Sequence, residues 1–124
     1  MLREHDAVAT IAVRDTAAAR KFYEGKLGLE PEDDRGDEVL TYGSGQSRVF
    51  VYRSDFAGTN KATSATWTVD DVDALARELK SKGVPFERYD MPGMTHEGDV
   101  HVAGSMRAAW FRDPDGNILS IVSG

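Results

Sequence analysis

The sequence predicts an α+β fold of two tandem βαβββ modules around an open, cup-like mixed sheet. Two observations carry this: the chain repeats itself with a shift of 56 residues, and each half begins with a short strand pattern followed by a capped helical stripe. Under the shift Val13 falls on Val69, Asp15 on Asp71, Ala18 on Ala74 and Lys26 on Lys82. A unit of this size leaves one face uncovered, so two copies complete one another's core and a site is expected between them.

In the first module, residues 7–13 read as a strand with Ala9, Ile11 and Val13 on one face. Asp15 caps a helix whose Ala18, Ala19, Phe22, Tyr23 and Leu27 recur at helical spacing, and Gly28 stops it. Residues 29–33 supply a second strand. Residues 38–42 and 47–53 are strands joined through the turn-forming run Gly43-Ser44-Gly45-Gln46. Residues 55–62 are a polar link. In the second module a strand over 64–69 precedes Asp71, which caps a helix with Val72, Leu75, Ala76 and Leu79 on its inner stripe and Gly83 at its end. Extended structure resumes over 84–89. Residues 91–104 are an insertion relative to the first module, read as a polar loop of the kind that forms lids. Residues 105–112 and 117–122 are the last strands, turned by Asp113-Pro114-Asp115-Gly116. Asp33-Asp34 and Asp70-Asp71-Asp73 read as surface-turn and helix-capping charges.

At 124 residues the chain fits a single domain spanning 1–124, with module one at about 1–56 and module two at about 62–124. Its net charge of −6 argues against nucleic acid and anionic membrane surfaces and mildly favours cationic ligands. The absence of cysteine removes disulfides, thiolate metal sites and a cysteine nucleophile. No stretch approaches membrane-spanning length and the first residues are charged, so a cytoplasmic protein is expected.

Val13-Arg14-Asp15 leading to Phe22-Tyr23 and Leu27-Gly28-Leu29 is one set of motifs. A second is Val69-Asp70-Asp71-Val72-Asp73 leading to Gly83-Val84, and a third runs from Trp110 through Asp113-Pro114-Asp115-Gly116 to Asn117. Each is ordinary alone, but in this order they span nearly the whole chain and resemble the vicinal oxygen chelate superfamily. That superfamily includes glyoxalase I, extradiol dioxygenases, fosfomycin-modifying enzymes and bleomycin resistance proteins. The resemblance implies the glyoxalase/bleomycin resistance/extradiol dioxygenase fold, which hosts many chemistries. In the family's metalloenzymes His and Glu residues on the first and last strands of each module hold a divalent metal. The matching positions here are Val8 and Ser64 on first strands and Phe50 and Ser120 on last strands, with Tyr52 the alternative to Phe50. None offers the imidazole or carboxylate such a metal needs at about 2.0–2.2 Å, so no metal and no cofactor is expected. The resemblance also implies a homodimer whose cavities are completed between subunits.

Among other candidates, alternation over 47–53 sets Val49 and Val51 toward the helices and leaves Arg48, Phe50 and Tyr52 toward the cavity. Two rings and a guanidinium suit a planar, partly polar ligand; equally, the rings could fill core and Arg48 could be solvated. Trp110 suits either a pocket wall or sheet packing, whereas Trp67 falls on the core side. His96 and His101, with Glu97 and Asp99 between them, suit ligand contact or proton transfer on a lid better than a relocated metal site. His5 precedes the first strand. Ser64 and Ser120 have no nucleophile-elbow motif, and the Gly43-Ser44-Gly45 turn leads to no helix and so is no phosphate loop.

The expected ligand-binding set is Arg48, Phe50, Tyr52, Ser64, His101, Trp110 and Ser120. Three functions fit. The first is metal-independent sequestration of a small organic ligand, aromatic or cationic, as in bleomycin-resistance-type proteins. The second is a glyoxalase-like lyase or isomerase using His101, Tyr52 or Arg48 in acid-base or oxyanion roles. The third is an accessory interaction module with a vestigial cavity.

Overall fold

The computed structural model describes residues 1–34 and 38–124, with the side chains of Asp33 and Asp34 outside the described set. Strand β1 (Ala9–Val13) buries Ile11 and Val13. Asp15 then caps helix α1 (Thr16–Arg20), its carboxylate accepting the Ala17 and Ala18 N–H groups at 2.9 and 3.3 Å. The single helix expected before Gly28 widens instead into a π-helical turn over Lys21–Lys26, where the Leu27 N–H reaches back to the Phe22 carbonyl at 2.9 Å. The wider turn accommodates adjacent aromatics that both belong to the core: Phe22 and Tyr23 are 3% and 0% exposed, and their rings meet edge to face at 5.0 Å.

Strands β2 (Glu30–Asp34), β3 (Val39–Ser44) and β4 (Ser47–Arg53) complete a four-stranded sheet in the order β1-β4-β3-β2, with β1 parallel to β4 and the other pairs antiparallel. The second module repeats this with β5 (Thr63–Thr68), α2 (Val72–Ser81), β6 (Phe86–Glu87), β9 (Met106–Arg112) and β10 (Ile118–Ser123). Asp71 accepts the Ala74 N–H at 3.0 Å, and α2 buries Val72, Ala76 and Leu79. β5 runs parallel to β10, as β1 does to β4.

The insertion at 91–104 departs from the expected loop. It folds into a hairpin of β7 (Thr95–Glu97) and β8 (Val100–Ala103), and β8 pairs antiparallel with β9, so the second sheet has six strands. Val100 and His101 are buried, which gives this polar-looking segment enough buried surface to stay paired.

Both helix-covered sheet faces contribute to one hydrophobic cluster, running from Ile11, Tyr23 and Val51 to Val72, Phe111 and Ile121. Polar ties lock the modules across it. Tyr23 donates its hydroxyl to Asp113 Oδ2 at 2.7 Å, Asn117 Nδ2 donates to the Ala12 carbonyl at 2.7 Å, and Trp67 Nε1 donates to Ser44 Oγ at 2.8 Å. The Asp-Pro-Asp-Gly sequence is therefore both the expected turn and an inter-module clamp. With the core on the helix side, the opposite face of each sheet carries no helix: Thr10, Arg48, Tyr52, Thr66 and Thr68 are exposed there, while Thr41, Ala108, His101 and Ser120 on the same faces are buried among neighbouring side chains. No helix among the described residues is long and apolar enough to cross a membrane.

Candidate functional site

On the open face of the first sheet, register aligns Phe50 with Thr10 on one side and Thr41 on the other, and Tyr52 with Ala12 and Val39. Val49 and Val51, one step out of phase, are buried on the helix side. Phe50 is half-buried and Tyr52 is 38% exposed. Arg48 closes the row, its Nε donating to Glu32 Oε2 at 2.6 Å. The face thus presents two rings beside a charge-compensated guanidinium.

On the open face of the second sheet, Ser120 lies between Thr66 and Trp110 in register, and its hydroxyl is 2.7 Å from that of Thr66. Thr10 and Thr66 are related by the 56-residue shift, so the strand partners Phe50 and Ser120 occupy equivalent positions, and Tyr52 does not. Ser64, half-buried, falls at the irregularity where β5 shifts register against β10, between Thr63 opposite Ile118 and Ala65 opposite Leu119. Trp110, also half-buried, donates its indole N–H to Thr63 Oγ1 at 3.1 Å.

Beside Trp110 lies an aromatic cluster that includes a residue the sequence reading missed. The His101 ring meets Trp110 at 4.7 Å and His96 at 4.6 Å, and Tyr89 packs edge-on against Trp110 at 5.5 Å. Tyr89 sits between Arg88 and Asp90 with no periodicity to mark it; only the imidazoles reveal its place. His101 Nε2 accepts the Tyr89 N–H at 2.9 Å, and His96 Nε2 lies 2.9 Å from the Tyr89 carbonyl. Because the first of these bonds requires an unprotonated Nε2, His101 is neutral here. Burial, then the neighbouring His96, holds its pKa below the usual histidine range, and burial raises that of Tyr89, whose hydroxyl is buried without a partner among the described residues.

The expected site residues therefore fall into two sets, Arg48, Phe50 and Tyr52 on one sheet and Ser64, His101, Trp110 and Ser120 on the other. Among the described residues no hydrogen bond or ring contact joins the sets. His101 is fully buried beneath its neighbours, in a strand paired with β9 rather than on an irregular loop. The positions matching the family's metal ligands do not fit a metal: Val8 and Phe50 have no donor atom, and the Ser120 hydroxyl is engaged with Thr66. His96 and His101 commit their Nε2 atoms to Tyr89, and no group of three His, Asp or Glu among the described residues could hold a metal ion.

Two cavities lie at the seam of the modules. An apolar crevice of about 140 Å³ is walled by Leu27 and Leu29 from the first module and by Val69, Leu75, Leu79, Phe111 and Ile121 from the second. A groove of about 440 Å³ runs past the starts of β1 and β4 and along β5, lined by Arg48, Ser47, Thr66 and Thr68 among others. Ser44 and Trp67 line both.

This architecture is shared with solved structures. A bleomycin-binding protein from Streptomyces verticillus, solved with copper(II)-bleomycin, is 25% identical with a TM-score of 0.70, covering 100% of this chain and 99% of that one. The antibiotic-binding protein TnmS3 from Streptomyces sp. CB03234 is 23% identical with a TM-score of 0.70, covering 99% of this chain and 98% of that one. A lactoylglutathione lyase from Agrobacterium tumefaciens is 16% identical with a TM-score of 0.72, covering 97% and 93%. No curated protein sequence is significantly similar to the chain. The family model for the Glyoxalase/Bleomycin resistance protein/Dioxygenase superfamily matches residues 6–121, and with the fold and the repeat in agreement the chain belongs to that superfamily.

Proposed function

We propose that this chain is a metal-independent small-molecule-binding protein that sequesters an aromatic or cationic ligand against its open sheet faces and acts as a homodimer in the cytoplasm. The observation that carries the reading is the helix-free face itself: the hydrophobic cluster gathers on the helix side, yet Phe50, Tyr52 and Trp110 stand on the opposite faces and stay partly exposed there. Each set of site residues forms only half a cup. A second copy placing the first module's face opposite the second module's would close it. The bleomycin-binding and antibiotic-binding relatives support a binding role, and the absence of imidazole and carboxylate at Val8, Phe50, Ser64 and Ser120 supports metal independence.

A lyase or isomerase role would ask His101 for a proton, but its ring is buried and its Nε2 is held by the Tyr89 N–H, which favours binding over turnover. The test is calorimetric titration with a panel that includes copper(II)-bleomycin, alongside elemental analysis and sedimentation. Truncating an aromatic anchor costs about 2 kcal/mol or more, so Tyr52→Ala or Trp110→Ala should weaken a panel ligand by about thirtyfold. Unchanged affinity in both folded variants, or one tightly held metal per chain, would overturn the reading.

A further inference from the structure

The two seam cavities share two lining residues, Ser44 and Trp67, and Trp67 Nε1 donates to Ser44 Oγ at 2.8 Å. In one the lining is apolar, from Leu27, Leu29, Val69, Leu75 and Phe111, and comes from both modules. Ser47, Arg48 and Thr68 are among the residues lining the other, a groove three times as large. Among the described residues, no acceptor is bonded to the hydroxyl protons of Ser44, Ser47 and Thr68.

We propose that this seam is a second ligand site, centred on the crevice and meeting the open faces only where its groove passes Arg48, Thr66 and Thr68, that takes a small amphipathic molecule: a single ring in the crevice and a neutral hydroxyl- or amide-bearing tail along the groove. Size sets the head. A crevice of about 140 Å³ has the size of the apolar cavities of about 150 Å³ that admit one benzene ring. The lining sets the tail. Ser44 stands where ring and tail would join, its hydroxyl proton free while its oxygen accepts from Trp67. A neutral tail is favoured over an anionic one because Arg48 is already paired with Glu32 at 2.6 Å and the chain carries a net charge of −6. Junctions between modules are where such half-apolar sites recur, since neither module alone can fill the gap.

The chain has two tryptophans, so Trp110→Phe leaves Trp67 as the sole indole reporter in the crevice wall. In that background, titration with 3-phenylpropan-1-ol should shift Trp67 emission saturably, and toluene, which has no tail, and propan-1-ol, which has no ring, should each bind at least about tenfold more weakly. Filling the crevice with Leu75→Trp, read by thermal shift with Trp110 restored, should abolish the response. Leu29→Phe is the second filling variant if the first does not fold. Tyr52→Ala, on the open face, should leave it intact. A response lost in Tyr52→Ala but kept in both filled variants would overturn the seam site in favour of the open face. No saturable response to 3-phenylpropan-1-ol would overturn the seam site while leaving the open-face reading untouched, and a response seen only on dilution to monomer would assign the crevice to a second copy of the chain.

Discussion

Tyr23→Phe isolates the clamp that joins the modules. In the folded protein the Tyr23 hydroxyl donates to Asp113 Oδ2 at 2.7 Å, and tyrosine and carboxylate are 0% and 5% exposed. Asp113 keeps three other donors in the variant: the Asp115 and Asn117 N–H groups on Oδ1 at 2.9 and 2.8 Å, and Asn117 Nδ2 on Oδ2 at 2.8 Å. The substitution therefore removes one charge-assisted bond without stranding the carboxylate, which sets the loss at about 1.5–3 kcal/mol. For a chain of this length that is about 6–12 °C in Tm. Asp113→Ala should cost more, because it strands the Tyr23 hydroxyl and two backbone donors together.

Alkaline titration separates the clamp from simple packing. Burial first, and then the Asp113 carboxylate, push the Tyr23 pKa far above the ordinary tyrosine range. The unfolded chain releases that proton near pH 10 while the folded chain keeps it, so stability present below pH 10 falls above it by about 1.4 kcal/mol per pH unit. Tyr23→Phe should be less stable than the parent at pH 8 and lose stability less steeply above pH 10. Urea denaturation across pH 8–11.5 measures both quantities. A loss under about 0.5 kcal/mol at pH 8, with unchanged alkaline slope, would refute the clamp.

Three further outcomes are expected. His101 is neutral and buried with a lowered pKa, so its contribution is intact above the unfolded value near 6.5 and lost as pH falls through the folded one; amide exchange should show Tyr89 and the β7–β8 hairpin losing protection in acid, and His101→Gln should remove that dependence. Gly58→Ala should destabilise by more than about 2 kcal/mol, because a Cβ at its φ of +74° would sit 2.0 Å from the Asp115 carbonyl, whereas Gly45→Ala, at +59° with nothing within 4 Å, should cost only about 1 kcal/mol in chemical denaturation. Asp15→Ala and Asp71→Ala should each cost about 1 kcal/mol by the same assay, since each carboxylate caps its helix.

The parts of the fold legible in the sequence are those set by neighbours along the chain. Asp15 and Asp71 cap because a carboxylate before a periodic apolar stripe has free N–H groups to accept, and the separation of Val49 and Val51 from Arg48, Phe50 and Tyr52 follows from strand alternation alone. Three features depended on distant contacts. The π turn exists because Phe22 and Tyr23 both find core, which their spacing does not announce. The hairpin escaped because its strands are three and four residues long and its buried residues include a histidine. Tyr89 joins the aromatic cluster through imidazoles seven and twelve residues away, and no local pattern encodes that.

The insertion also has a physical reason. In the first module β2 pairs with β3 from Glu30 onward, but its counterpart β6 contributes only Phe86 and Glu87, which pair with Phe111 and Trp110 at one end of β9. The remaining edge, Met106 to Ala108, would stand open, and an unpaired edge beside the buried Ala108 invites association with other chains. Strand β8 occupies that stretch, pairing His101 with Ala108 and Ala103 with Met106. Where β6 leaves β9, no ladder remains to hold residue 89, and the two histidines take over both of its backbone polar groups. The hairpin and the histidine pair are thus one repair of a shortened strand. It widens the second sheet by two strands and sets the His101 ring against Trp110, so one shortened strand accounts for both the extra pairing and the aromatic cluster.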